Sequence, residues 1–381
     1  MQTTIYDTPE HQTLREQVAR FIAKEVEPHA QAWEEQGMVP REVLQRMGRA
    51  GLLGLMYEEQ YGGGQADALT NLVFAEALSQ STFAGFIITV LVHTDMASPH
   101  LHHAGTPEQK AKYMPRITAG ECISAVGISE PGAGSDVAGI RTSARREGDE
   151  WVINGTKMFI TNGVHADVYF VAAKTGPGKR DMSIFIVDKG TPGFNVLRRI
   201  PMLGGHFTYE IALEDLRLPH TAMLGEEGKG FAPMQERLSN RRVQMAAWCT
   251  GRAQRALDMM VEYAPQRSTF GVPLSERQAI QWWIADAATR IHACRLMTHE
   301  AAWRIDTGRD ARSQVSMIKA YATEMAWEII DRAMQTFGAM GMTKELPLQQ
   351  MANDVRLMRV YEGPTEVHRW VVARNTLAGR G

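Results

Sequence analysis

The sequence predicts an α+β protein of several domains, with a helical N-terminal part, a β-rich middle and a C-terminal part of long helices. Three observations carry that prediction. Apolar residues recur at the helical period over the first ~120 residues. From about Cys122 the texture changes to short β-rich runs separated by turn residues, and after Gly228-Lys229-Gly230 helical spacing returns. The corresponding boundaries are 1–120, 121–230 and 231–381. A chain of 381 residues can bury a large core and is long enough to divide in this way.

Thr8 followed by Pro9 starts the first helix, because a threonine cap and a first-turn proline both cost little there. Leu14, Val18, Phe21 and Ile22 then form one apolar face. Gly62-Gly63-Gly64 interrupts the helices as a turn; no Lys-Ser/Thr follows it, so it is not read as a phosphate loop. Residues 69–77 are helical again, and Thr106-Pro107-Glu108 opens another helix. The middle part offers strands at 151–153, 157–161, 168–172, 183–187 and 209–213. Asn154-Gly155 reads as a hairpin turn and Thr191-Pro192-Gly193 as a second break, the pattern of an antiparallel barrel or sandwich. Beyond residue 230, Val315, Ile318, Ala322, Met325, Ile329 and Ile330 trace one buried helical stripe. The 22 methionines sit mostly at such positions and are read as core filler.

Composition narrows the function. With 44% apolar and 22% charged residues and a net charge of −2, the chain has neither a basic nucleic-acid surface nor a polybasic membrane patch. Cys122, Cys249 and Cys294 lie far apart, form no CxxC and read as reduced thiols, which suits a cytoplasmic protein. The N-terminus lacks an apolar signal segment. The longest apolar run, 83–92, falls well short of the ~20 residues of a membrane span. His93, His100, His102 and His103 cluster without the spacing or carboxylates of a metal site, so no metal is expected.

The most informative stretch is 128–163. Its Pro-Gly-Ala-Gly-Ser turn (131–135) can turn backbone N–H groups and a hydroxyl toward an anion, since glycine permits positive φ and close approach. The run Lys-Met-Phe-Ile-Thr (157–161) follows, a strand predicted to present Phe159 and Thr161 on one face. Together they suit a large, planar, phosphorylated cofactor. Near the C-terminus, Tyr361-Glu362-Gly363-Pro364-Thr365-Glu366 places a glutamate at a turn between two helices, because proline disfavours helical geometry in the residue before it.

The ordered series SEPGAGSD, NGTKMFITNG, RSTFG, QTFGAMG and YEGPTE resembles the acyl-CoA dehydrogenase family of flavoproteins over essentially the whole chain. The resemblance implies a helical domain, a β-barrel and a C-terminal four-helix bundle. It implies FAD as cofactor, an acyl-CoA thioester as substrate, electron-transfer flavoprotein as electron acceptor, and a homotetramer built as a dimer of dimers. Neither nucleic acid nor membrane is implied as a partner. Glu362 is then the catalytic base. Some members carry that base on the helix opening the C-terminal domain, but Arg241 stands at that point here. The chemistry needs a desolvated carboxylate beside the thioester α-carbon and donors at the carbonyl oxygen, with hydride going to the flavin.

Further roles follow by resemblance. Val126, Ile128, Ser129, Gly134 and Ser135 match the segment along the flavin and its phosphates. Phe159, Ile160 and Thr161 match the flavin-contacting strand; Thr161 corresponds to the hydroxyl on the reactive nitrogen, and Phe159 replaces a frequent tryptophan. Arg267, Phe270, Gln278, Gln335, Thr336, Gly338 and Ala339 match positions that reach a neighbouring subunit's FAD, with Ala339 where a second glycine is common. Thr365 and Glu366 fall on the FAD side of the base motif. Ser135, Arg242, Tyr361 and Gly363 fall on the substrate side. Pro364 and Glu366 depart from the family's Gly-Thr-Ser/Ala-Gln pattern, and Val92 replaces a polar residue of a medium-chain acyl pocket. The alternatives are an oxygen-using acyl-CoA oxidase, usually a much longer chain, and a non-enzymatic FAD- or acyl-binding relative.

Overall fold

The computed structural model describes residues 4–379, apart from the side chains of residues 238–240. Its N-terminal part runs through α1 (Pro9–Glu25), α2 (Ala30–Gln36), α3 (Arg41–Arg49), α4 (Ala68–Leu78), α5 (Ala84–Leu91), α6 (Ser98–Ala104) and α7 (Pro107–Thr118). Thr8 and Thr106 are the caps expected from sequence. Each accepts the N–H three residues on, and the His11 and Gln109 side chains return a bond to the cap's own N–H. Between α5 and α6 the helix loosens into a π-helical segment, Val92–Ala97.

The middle part is one mixed sheet. Its strands are β1 (Ser124–Gly127), β2 (Ser143–Glu147), β3 (Glu150–Thr161), β4 (Val168–Lys174), β5 (Met182–Asp188), β6 (Phe194–Pro201), β7 (Phe207–Pro219) and β8 (Met223–Leu224). Their order is β6-β7-β3-β2-β4-β5-β8, with β1 added beside β4. The sheet departs from the sequence reading in two ways. It is not wholly antiparallel: β1 pairs in parallel with β4, having entered from α7 rather than through a hairpin. Nor is Asn154-Gly155 a hairpin, because β3 runs straight through it with a bulge between Ile153 and Gly155. Asn154 instead exchanges two hydrogen bonds with Asp215 on β7. A Cβ on Gly155 would lie 2.7 Å from the Thr142 Cα, so close strand approach, not a turn, requires glycine there.

After the sheet come α8 (Phe231–Gln266), the small hairpin of β9 (Ser268–Thr269) and β10 (Val272–Pro273), α9 (Gln278–Asp306), α10 (Arg312–Phe337), α11 (Leu348–Met358) and α12 (Thr365–Leu377). Helices α8, α9 and α10 pack on one another, and the α11–α12 pair completes the bundle against α10. The stripe read from Val315 to Ile330 is buried on α10. Buried polar links lock the parts together. Asp306 accepts the first N–H groups of α4, and Glu76 on α4 pairs with Arg295 on α9 at 2.7 Å. Asp354 on α11 takes both Arg252 on α8 and His206 from the turn before β7. The site is thus held by three rigid layers.

Candidate active site

Two of the predicted stretches meet directly. The Met158 N–H donates to the Ser129 carbonyl at 2.9 Å, so the exit of β1 lies against the end of β3. A second bulge, between Lys157 and Ile160, swings Phe159 to φ 60° and leaves its ring 49% exposed. Ile160 points into the core, which leaves only its backbone for a ligand. Val126 is buried, while Ile128, Ser129 and Thr161 are half-buried along the same wall.

The turn after Ser129 is built differently from the sequence expectation. Glu130 and Ala133 exchange backbone bonds, and Gly134 and Ser135 stand exposed beyond them. Neither Gly132 nor Gly134 adopts positive φ; what they provide is clearance, since an added Cβ would meet nothing within 4 Å. Beneath the turn, Glu130 accepts the Arg141 and Thr142 N–H groups and pairs with Lys157 at 2.8 Å, both side chains almost wholly buried. Burial pushes the Lys157 amine down to about 8 against the pull of Glu130. Sequence reading missed this support, although a charged residue inside an otherwise apolar strand was a signal for it.

The third stretch is the turn between α11 and α12. Glu362 takes φ 56° and Gly363 φ 92°, so the glutamate pays backbone strain of roughly 1–3 kcal/mol to be where it is. Arg242 Nε donates to the Glu362 carbonyl at 2.8 Å, His368 Nε2 lies 3.2 Å from the same oxygen, and the Lys319 amine donates to the Gly363 carbonyl. Burial lowers His368 to about 4 and Lys319 to about 8, the latter opposed by Glu362. His368 is therefore neutral near pH 7 and can donate. The Glu362 side chain is 3% exposed, and its Oε2 finds no hydrogen-bond partner among the described residues. Its N–H is likewise not taken by a described acceptor. Tyr361 and Thr365 also carry buried hydroxyls without a described partner, whereas Glu366 is exposed. Lys319 and His368 were not foreseen; histidine inside the motif was the available signal.

The π-helical segment touches both β1 and α8, the helix that carries Arg242. The β1–β3 side carries an exposed aromatic ring and an open turn, and the α11–α12 turn a buried carboxylate with spare donors. That arrangement fits a flat, phosphorylated group lying beside a thioester.

The remaining predicted residues face elsewhere. Arg267 and Phe270 lie on the hairpin after α8 and Gln278 opens α9, all exposed, with Phe270 99% exposed at φ 51°. Gln335, Gly338 and Ala339 are exposed at the end of α10, but Thr336 is buried and gives its hydroxyl to the Arg332 carbonyl. The structure does not bring this set to the Glu362 turn.

Known proteins resemble this chain over nearly its whole length. The family descriptions "Acyl-CoA dehydrogenase, N-terminal domain", "middle domain" and "C-terminal domain" match residues 8–121, 125–216 and 228–377. An acyl-CoA dehydrogenase of Bacillus subtilis is 35% identical over 377 residues, covering 98% of this chain and 99% of the relative. The (R)-benzylsuccinyl-CoA dehydrogenase of Thauera aromatica is 35% identical over 401 residues, covering 98% and 97%. The solved FAD complex of PigA superposes with a TM-score of 0.94 at 30% identity, covering all of both chains.

Proposed function

The chain belongs to the acyl-CoA dehydrogenase family, and from that premise we propose that Glu362 is the base in α,β-dehydrogenation of an acyl-CoA thioester. The protein is an oxidoreductase acting on CH–CH bonds, and its cofactor is FAD. One observation carries the assignment of the base: a single strained residue offers both a buried, unpartnered carboxylate oxygen and an untaken N–H.

The N–H suits the thioester carbonyl, where enolate charge develops, and Oε2 suits the α-proton. Arg242, His368 and Lys319 grip the turn's carbonyls, so donor and acceptor keep a fixed spacing. Phe159 and Thr161 would hold the flavin ring, and the open turn at Gly132 and Gly134, with the exposed Ser135, would leave room for phosphate. When bound, FAD accepts the β-hydrogen as hydride. With the α-proton on Glu362, a saturated thioester leaves as the trans-2-enoyl thioester, so protons and electrons balance.

The resemblance to dehydrogenases rather than oxidases supports electron-transfer flavoprotein as the acceptor. It also supports a homotetramer, in which the outward set around Arg267 serves a neighbour's FAD. Rapid mixing tests the reading. Acyl-CoA should bleach the flavin anaerobically, and the reduced enzyme should be reoxidised fast by electron-transfer flavoprotein and slowly by oxygen. Stoichiometric peroxide under air would replace this reading by the oxidase one.

A further inference from the structure

Charged side chains crowd the Glu362 turn. Arg241 on α8 has a side chain with no exposed surface, and its Nε stands 3.6 Å from Glu362 Oε1. That separation is within ion-pair range but too long for a good hydrogen bond. Asp95 comes in from the π-helical segment, where its carboxylate accepts from Asn71 Nδ2 and Thr94 Oγ1. Such π segments occur often at functional sites. Burial holds the Asp95 carboxyl above its usual range, and the nearby Arg241 charge opposes that shift. The Tyr361 hydroxyl, also buried, lacks a described partner.

A buried guanidinium is expensive to desolvate, and beside a base it competes for the very carboxylate that must take the α-proton. A site built for plain alkyl thioesters gains nothing from it. Resting on the dehydrogenase reading above, we propose that Arg241 selects acyl-CoA thioesters whose acyl chain carries a second carboxylate. That carboxylate becomes the ligand of Arg241, and Glu362 is released to the α-proton. The charges facing the turn favour an anion. Arg241 and Arg242 come from α8 and Lys319 from α10, against Glu362 and Asp95. His368 is neutral, and Glu366 is exposed to solvent. Three cations thus face two carboxylates, while Asp354, a third carboxylate near Tyr361, is already paired with Arg252 and His206. Asp95 competes with the substrate for Arg241, so the two residues should act in opposite senses.

The test compares anaerobic flavin bleaching of the FAD-loaded enzyme by succinyl-, glutaryl- and adipyl-CoA with that by butyryl-, pentanoyl- and hexanoyl-CoA. The best dicarboxylic thioester should exceed its methyl-ended counterpart of equal chain length by ~10-fold or more in apparent kcat/KM, the weight of one charge-assisted contact. Arg241→Gln should abolish that preference, Arg241→Lys should keep part of it, and Asp95→Asn should enlarge it. A wild-type preference for methyl-ended thioesters overturns the proposal, even if every variant fails to fold. So does an Arg241→Gln enzyme with an unchanged ratio. If dithionite bleaches the flavin but no thioester of either series does, the dehydrogenase reading fails and this proposal with it.

Discussion

Glu362 combines three properties that rarely coincide in a surface turn: a left-handed backbone, a side chain 3% exposed, and a carboxylate oxygen with no described partner. Each is costly alone, and their coincidence is what a positioned base requires. Replacing the carboxylate by an amide keeps the shape and removes the proton acceptor. Glu362→Gln should therefore retain FAD and the fold while flavin reduction by acyl-CoA slows by ~10²–10⁴-fold or more. Rapid-mixing traces with near-normal bleaching would place the base elsewhere. Arg241, the residue at the alternative base position, cannot take over that role, because a guanidinium stays protonated.

The elements that touch the cofactor site were legible from sequence to different degrees. Helix starts at Thr8 and Thr106 were legible because the capping chemistry is local. The α10 stripe was legible because one face is buried throughout. The β3 bulges were not, since Asn-Gly carries the same signature in a hairpin and in a strand that must pass close to Thr142. Strand β6 was missed because most of its residues are exposed and give no period-two signal. The motifs pointed to residues of the proposed site, but not to what stands under them. The buried Lys157–Glu130 pair joins β3 to the loop after β1, and only the fold brings those residues together. Removing one partner leaves the other charged and buried, at a cost of about 3–5 kcal/mol before relaxation. Lys157→Met should thus lower the melting temperature and release FAD, while Lys157→Met/Glu130→Gln recovers part of both. A single variant with normal melting and full flavin content would show that the pair does not support the turn.

Over the whole molecule, the hairpin after α8 points away from the site its own chain builds. Phe270 stands almost fully exposed in left-handed geometry, with the Arg277 guanidinium 6.0 Å from its ring. Gly338, also in left-handed geometry, and Ala339 are exposed at the end of α10. A lone chain gains nothing by holding an aromatic ring and strained turns in water, but a symmetric assembly can use them to close a neighbour's cofactor site. Arg267, exposed at the start of the same hairpin, would supply the charge for a pyrophosphate. Such a charge-assisted contact contributes roughly 1.5–3 kcal/mol, which is ~10-fold or more in retention. Arg267→Ala should accordingly purify folded but depleted of FAD. Because a ligand bridging subunits stabilises the assembly by mass action, removing FAD should also lower the concentration-dependent stability of the tetramer. Light scattering across a dilution series, with and without added FAD, reads both effects. A fully flavinylated, active monomer would refute the shared site and leave the exposed hairpin without this role.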